Sequence, residues 1–200
     1  LRVNERLTGS RFLRGVNCIG GVSKDIIKEE QKTFADDLAN IKKDFEEVIE
    51  IAAGSTSLQN RLKGTGILPL DTAQAYGVVG VSGRAAGIAC DTRVDFPYAA
   101  YDELGLADIA VETEGDVNAR FHVRIKEITS SIDLILRALK ELSAGEICVD
   151  HKKIVCKKNT QAISMVEGWR GEIIYLVTTD SVGSIARVAV RDPSFVNWPA

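Results

Sequence analysis

The chain has 200 residues, 45% of them apolar and 26% charged, with a net charge of −3. That length suits one domain with a sizeable core, and the balance of charges offers no clustered basic face for nucleic acid. No run of about 18 apolar residues occurs, which excludes a membrane-spanning helix within this stretch, and the charged opening LRVNERLTGSRFLRG has no apolar signal core. The four cysteines (Cys18, Cys90, Cys148, Cys156) form no Cys-x-x-Cys pair and no small-protein disulfide framework, so the expectation is reduced, buried thiols in a cytoplasmic protein. The first residue is not Met and the last are Trp198-Pro199-Ala200, so the expectation is a piece excised from a longer subunit.

In chain order, Gly15, Gly20 and Gly21 break any helix in residues 1–22, which read as a loop or short strand. Ser23 is the expected N-cap of a long helix, with Asp25, Glu29 and Glu30 in its early turns. Phe34, Leu38, Ile41, Phe45, Val48 and Ala52 then recur at steps of three and four, which places them on one face of a helix ending near Gly54. A short helix over Ser57 to Lys63 follows. The stretch from Gly64 to Tyr101 holds six of the 17 glycines among small apolar residues, Asp71, Arg84, Asp91, Arg93 and Asp95. Glycines at that density mark special backbone angles or close approach of another surface, so the stretch reads as a packed connector where sites are built. Within it, helical turns are expected from Asp71 and from Val81, an extended run from Asp91 to Pro97, and a short helix from Tyr98 to Leu104.

Asp116 caps the second long helix, in which Val117, Phe121, Ile125, Ile128, Ile132, Ile135, Leu139 and Leu142 form the apolar stripe and Gly145 ends the run. Two such helices joined through a compact connector pack antiparallel. After Gly145 the period changes to that of strands: 172–179 and 184–191 form a hairpin around Asp180–Gly183, and Ala162–Val166 is a shorter partner. The fold class is α+β, mainly α: a bundle-like helical core over 1–145 with the glycine-rich connector 64–101, then a small antiparallel sheet in the β-rich segment 146–200.

Few constellations carry chemistry. Cys148, His151 and Cys156 offer three ligand types with no fourth nearby, so metal binding is not expected there. GVVGVSGRAAG matches neither phosphate-binding glycine pattern, and close backbone packing is the better reading. His122, beside Phe121 on the long helix, reads as structural, and no Ser/His/Asp or Cys/His grouping supports hydrolysis. Asp71, Arg84, Asp91 and Arg93 can form buried ion pairs, which fix architecture and also cluster at active sites.

Four blocks, in order, carry a resemblance: RLKGTGILPLDTAQAYGVVGVSGRAAGIACDTRVDFPYAAYDEL, GDVNARFHVRIKEITSSIDLI, EGWRGEIIYLVTTD and RDPSFVNWPA. They resemble the large subunit of membrane-bound, energy-converting nickel–iron hydrogenases of the formate-hydrogenlyase type. They are also similar to its relative, the 49-kDa (D) subunit of respiratory NADH–quinone oxidoreductase, and the last two blocks favour the hydrogenase-like branch. The resemblance implies part of an electron-transfer oxidoreductase subunit with hydrogen, NADH or quinone chemistry. It implies a place on the cytoplasmic side of the inner membrane, beside a small iron–sulfur subunit and a membrane arm. The motif positions it marks are Arg84, Gly87, Asp91, Arg93, Pro97, Tyr98, Gly115, Asp116, Arg120, Glu167, Arg170, Gly171, Glu172, Arg191, Asp192 and Pro193.

Hydrogenases of that family hold nickel and iron on two Cys-x-x-Cys pairs, because thiolates bind these soft ions strongly. This stretch has neither pair. The resemblance therefore implies no cofactor here, a nickel–iron centre in a complete parent that has the pairs, an iron–sulfur cluster in a partner, and no activity for the stretch alone. The alternative is a docking subunit that has lost the metal site.

Overall fold

The computed structural model describes residues 1–105, 108–150 and 154–198. The first segment departs from the expected loop: Arg2–Thr8 is a helix, α1, closed by Gly9 in the left-handed conformation, which glycine adopts without strain. A minimal hairpin follows, β1 (Asn17–Cys18) against β2 (Gly21–Val22). The first long helix, α2, runs Lys28–Gly54, so it starts five residues after Ser23. Ser23 cannot cap it, because its hydroxyl donates to the Gly15 carbonyl at 2.5 Å and pins the preceding loop instead. Ser55 starts α3 (Thr56–Leu62) by accepting from the Leu58 amide.

The glycine-rich connector folds into short helices: α4 (Leu70–Tyr76), α5 (Gly80–Ala85), α6 (Thr92–Asp95) and α7 (Tyr101–Leu104). α6 replaces the extended run expected over Asp91–Pro97. Asp91 is extended and its side chain caps the turn by accepting from the Arg93 amide, while Phe96, before Pro97, leaves the helical region as proline requires.

The second long helix, α8 (Val117–Glu141), is capped by Asp116 as the sequence predicts. It lies antiparallel to α2. Gly64, just after α3, meets Asp116 at the start of α8, Lys42 pairs with Asp133 at mid-length, and Gln31 lies near Leu139 and Leu142 at its end. The stripe is rotated from the expected one. Its most buried residues are Ala119, Val123, Ile132 and Leu134, while Ile135 is exposed. Small residues face inward in the first half because α5 packs there: Val81 and Ala85 meet Ala119 and Val123 in one buried cluster. A second cluster joins Ala73, Val78 and Ala86, flanked by Leu68 and Ile88.

The sheet has the order β3 (Gln161–Gly168), β4 (Gly171–Thr179), β5 (Ile185–Arg191), all antiparallel. Gly168 pairs with Gly171, so Trp169-Arg170 is a two-residue hairpin loop. A final turn, α9 (Ser194–Asn197), is tied back by Asn197, whose carboxamide accepts from the Val79 amide and donates to the Arg170 carbonyl. The fold is therefore α+β and mainly α, as its sequence pattern indicates. It leaves much apolar surface uncovered. The described chain exposes 13314 Å², against roughly 9,000 Å² for a compact chain of this length. Val48 and Ile51 of α2, Ile163, Ile185 and Val188 of the sheet, and Phe195 and Trp198 all stand in solvent.

Candidate functional site

The short helices of the connector carry their charged residues inward, against α8 and the first hairpin of the sheet. Arg84, on α5, is 2% exposed. Its Nε donates to Glu127 Oε1 on α8 at 2.7 Å and its Nη1 donates to Glu167 Oε1 on β3 at 3.0 Å. Nη1 also donates to the Cys90 carbonyl at 3.0 Å and lies 3.7 Å from Asp91 Oδ2. Asp91, 1% exposed, is gripped by the Arg93 fork at 2.9 and 2.6 Å. Glu167 spends its second oxygen on the Thr92 amide at 3.1 Å, and its own amide donates to the Tyr98 hydroxyl. Five charges from α5, the α6 turn, α8 and β3 thus form one network, with three carboxylates against two guanidiniums.

The imbalance is visible in their acidities. Burial works against the Asp91 anion, but Arg93 and Arg84 outweigh it and hold the carboxyl below its ordinary range. Arg93 is held more basic than usual, chiefly by its bonds to Asp91. Glu127 goes the other way: burial pushes its carboxyl up, and Arg84 recovers only part of that. Glu127 is therefore held readier to take a proton than an ordinary glutamate. Beside it opens a cleft of about 350 Å³, walled by Ile41, Tyr101, Ile132 and Trp169, with Arg84, Arg93, Glu127 and Glu167 at its polar side.

The motif positions separate into two groups. Arg84, Asp91, Arg93, Glu167 and Tyr98 converge on this network. The others brace the elements around it. Asp116 accepts from the amides of Ala119 and Gly64, both at 2.7 Å, and Arg120 donates to the carbonyls of Gly115 and Gly66. Glu172 and Arg191 pair across β4 and β5 at 2.5 Å, and Asp192 accepts from the Ser194 amide just ahead of α9. Gly87 takes a positive φ after α5, Pro97 is exposed, Pro193 is buried, and Arg170 sits at the tip of the β3–β4 hairpin. Gly80, also at positive φ, lies so close to Arg170 and Gly171 that a side chain there would strike their backbone, and Gly171 packs equally closely on Val79. Within GVVGVSGRAAG, Gly80 and Gly83 thus serve close packing as expected, whereas Gly77 has open space around it and Gly87 makes only ordinary contact with Leu70.

Glu127 was not among the sequence-derived positions. It stands four residues after Val123, on the face of α8 that the packing of α5 turns inward, where a carboxylate requires a partner. Asp71 joins no ion pair among the described residues and binds its neighbour Thr72. His122 is exposed. The cysteines are free but not buried: Cys18 and Cys156 are exposed and Cys90 and Cys148 half-buried. The expected burial fails because the segments carrying Cys18, Cys148 and Cys156 lie outside both packed clusters. Burial, then Asp95 beside it, pushes the Cys90 thiol up to about 11, which keeps it protonated. His151 lies outside the described residues.

A family model described as the respiratory-chain NADH dehydrogenase 49 Kd subunit matches residues 1–165. The chain belongs to that family. It is 36% identical over 177 residues to the C/D subunit of the NADH-quinone oxidoreductase of Phocaeicola vulgatus, covering 88% of this chain and 34% of the relative. Formate hydrogenlyase subunit 5 of Escherichia coli is 28% identical, over 100% of this chain and 34% of its own length. Among solved structures, a chain of the membrane-bound sulfane sulfur reductase, an archaeal respiratory membrane complex, superposes with a TM-score of 0.87 at 29% identity, over 98% of this chain and 54% of that one. The chain spans from about a third to about a half of the length of these proteins. No helix among the described residues is long and apolar enough to cross a membrane.

Proposed function

We propose that this chain is part of the electron-transfer subunit of a multisubunit oxidoreductase, working with hydrogen or with NADH and quinone. The observation that carries the reading is the buried five-charge network beside the cleft, built from three of the segments that carry the resemblance. Fixed guanidiniums in a dry, low-dielectric setting stabilise negative charge arriving nearby without reorganising at the moment of transfer. Glu127 complements them. With its carboxyl ionised the network carries one surplus negative charge, and each further negative charge in the cleft raises its affinity for a proton. Electron arrival and proton uptake are coupled in this way at one residue.

A nickel–iron centre does not fit the residues described here. It calls for several thiolates, whereas the described cysteines bring only Cys18 and Cys148 together, and Cys90 is held protonated. In this reading such a centre, where the parent has one, is held by residues outside this stretch. The uncovered faces of α2, the sheet and α9 fit docking against a small iron–sulfur subunit and a membrane arm, with the assembly peripheral to the cytoplasmic side of the inner membrane. The second reading, a docking subunit that has lost its metal site, takes its support from the uncovered apolar faces of α2, the sheet and α9.

The test is the complete complex, purified anaerobically from its host. Nickel and iron content, hydrogen uptake and NADH-driven quinone reduction are measured for the native protein and for Glu127→Gln. Stoichiometric nickel with hydrogen uptake places it with hydrogenases, and quinone reduction without nickel with quinone reductases. In either case Glu127→Gln flattens the pH profile of the rate. A complex with neither activity overturns the enzymatic reading in favour of docking.

A further inference from the structure

Outside the charge network, the two-residue strands β1 and β2 receive a third chain segment. Cys18 pairs with Gly21 across the hairpin, and Gly21 in turn forms an isolated antiparallel bridge with Cys148. The bridge is held by the Val22 amide donating to the Ile147 carbonyl at 2.9 Å and the Val149 amide donating to the Gly20 carbonyl at 3.0 Å. Gly21 has φ +151, and a side chain there would strike the Ile147 carbonyl, so only glycine lets the segment come this close. The thiols of Cys18 and Cys148 consequently meet across the glycine, 3.6 Å apart, although 130 residues separate them in sequence. The contact with Cys18 is the main cause that makes the Cys148 thiol less acidic than usual.

We propose that Cys18 and Cys148 are a redox-sensitive pair that closes to an intramolecular disulfide, latching the N-terminal hairpin onto the segment that follows α8. The oxidant class is a low-molecular-weight disulfide. The thiolate of one cysteine attacks a sulfur of the oxidant and expels one small thiolate. The second cysteine, as thiolate, attacks the mixed disulfide and expels the other. Two protein thiols are oxidised, one small disulfide is reduced to two thiols, and each protein proton goes to a departing thiolate or to solvent. A disulfide bond is about 2 Å long, so the sulfurs must approach by more than an ångström. The surroundings allow this, because the neighbours Ile19 and Val149 are 72% and 56% exposed and no packed core has to move. Closing so long a loop restricts the unfolded chain strongly.

The experiment treats the reduced full-length protein with oxidised glutathione. Expected are a loss of mass equal to two hydrogen atoms, one cross-linked peptide joining Cys18 to Cys148, and an upward shift of the thermal midpoint by roughly 5–10 °C. Cys18→Ser and Cys148→Ser each abolish the cross-link and leave a glutathione adduct on the remaining partner, while Cys90→Ser and Cys156→Ser form it unchanged. Separate glutathione adducts on both Cys18 and Cys148, or cross-links between chains, overturn the proposal. None of these outcomes depends on redox activity of the complex, so failure here leaves the electron-transfer reading untouched.

Discussion

Replacing Arg84 by Met tests whether the charge network is held by pairing or merely tolerated. Methionine fills much of the same volume but leaves Glu127 and Glu167 without their shared cation. Asp91 keeps the Arg93 fork, so the damage concentrates on the two glutamates, whose side chains are 19% and 6% exposed. Removing one partner from a buried ion pair costs about 3–5 kcal/mol, because the other charge stays buried and unpaired. With a urea dependence of about 2–3 kcal/mol per molar, the unfolding midpoint of this chain falls by roughly 1–2.5 M, read by circular dichroism. The triple variant Arg84→Met, Glu127→Gln, Glu167→Gln removes the orphaned charges and recovers a large part of that loss. The pH dependence has a definite sign. Without Arg84, which lowers it, the folded-state proton affinity of Glu127 lies further above that of the unfolded chain. The part of the penalty carried by Glu127 is therefore present above its raised folded value and shrinks as pH falls through that value, vanishing below the ordinary glutamate range. A single variant within about 1 kcal/mol of the native chain, or a triple variant no better than the single one, refutes the reasoning.

Three further outcomes follow from other parts of the molecule. Asp116→Ala removes the cap of α8 and strands the Gly64 amide, at a cost of about 2–3 kcal/mol in the same urea experiment. Burial opposes the Asp116 anion, but the amides of Ala119 and Gly64 and the charge of Arg120 outweigh it, so its acidity is raised. Its contribution is present above the ordinary carboxylate range and fades as pH falls through the folded value, so acid unfolding of the native chain loses this component in Asp116→Ala. Gly80→Ala destabilises more than Gly77→Ala, though both have positive φ: the second site has open space and costs about 1–2 kcal/mol, whereas the first collides with the Arg170 backbone. Equal midpoints for the two would contradict the close contact between α5 and the hairpin. Finally, the isolated chain binds an environment-sensitive dye strongly at its uncovered apolar faces, and loses that binding in the assembled complex.

The amino-acid sequence by itself determined the two long helices, because long runs of period-3.6 patterning bounded by Asp116 or by glycine leave little choice. It determined the β4–β5 hairpin for the same reason, through alternation around the turn at 180–183. It also marked the glycine-rich connector as packed, and Arg84, Asp91 and Arg93 as its charged centre. Local pattern failed where a partner far along the chain decided the outcome, or where one side chain redirected the backbone beside it. Ser23 was diverted from capping by the Gly15 carbonyl, and Asp91 turned a reading of extended chain into a capped helical turn. The inward face of α8 was set by the small residues of α5, which admit Ala119 and Val123 but no Ile. Glu127 and Glu167 stand 43 and 83 residues from Arg84, and Cys148 stands 130 from Cys18. Pairings at such separations carry no local signature. Only the packing of α5, α8 and the sheet brings those charges into one network, and only a glycine without a side chain brings those thiols together.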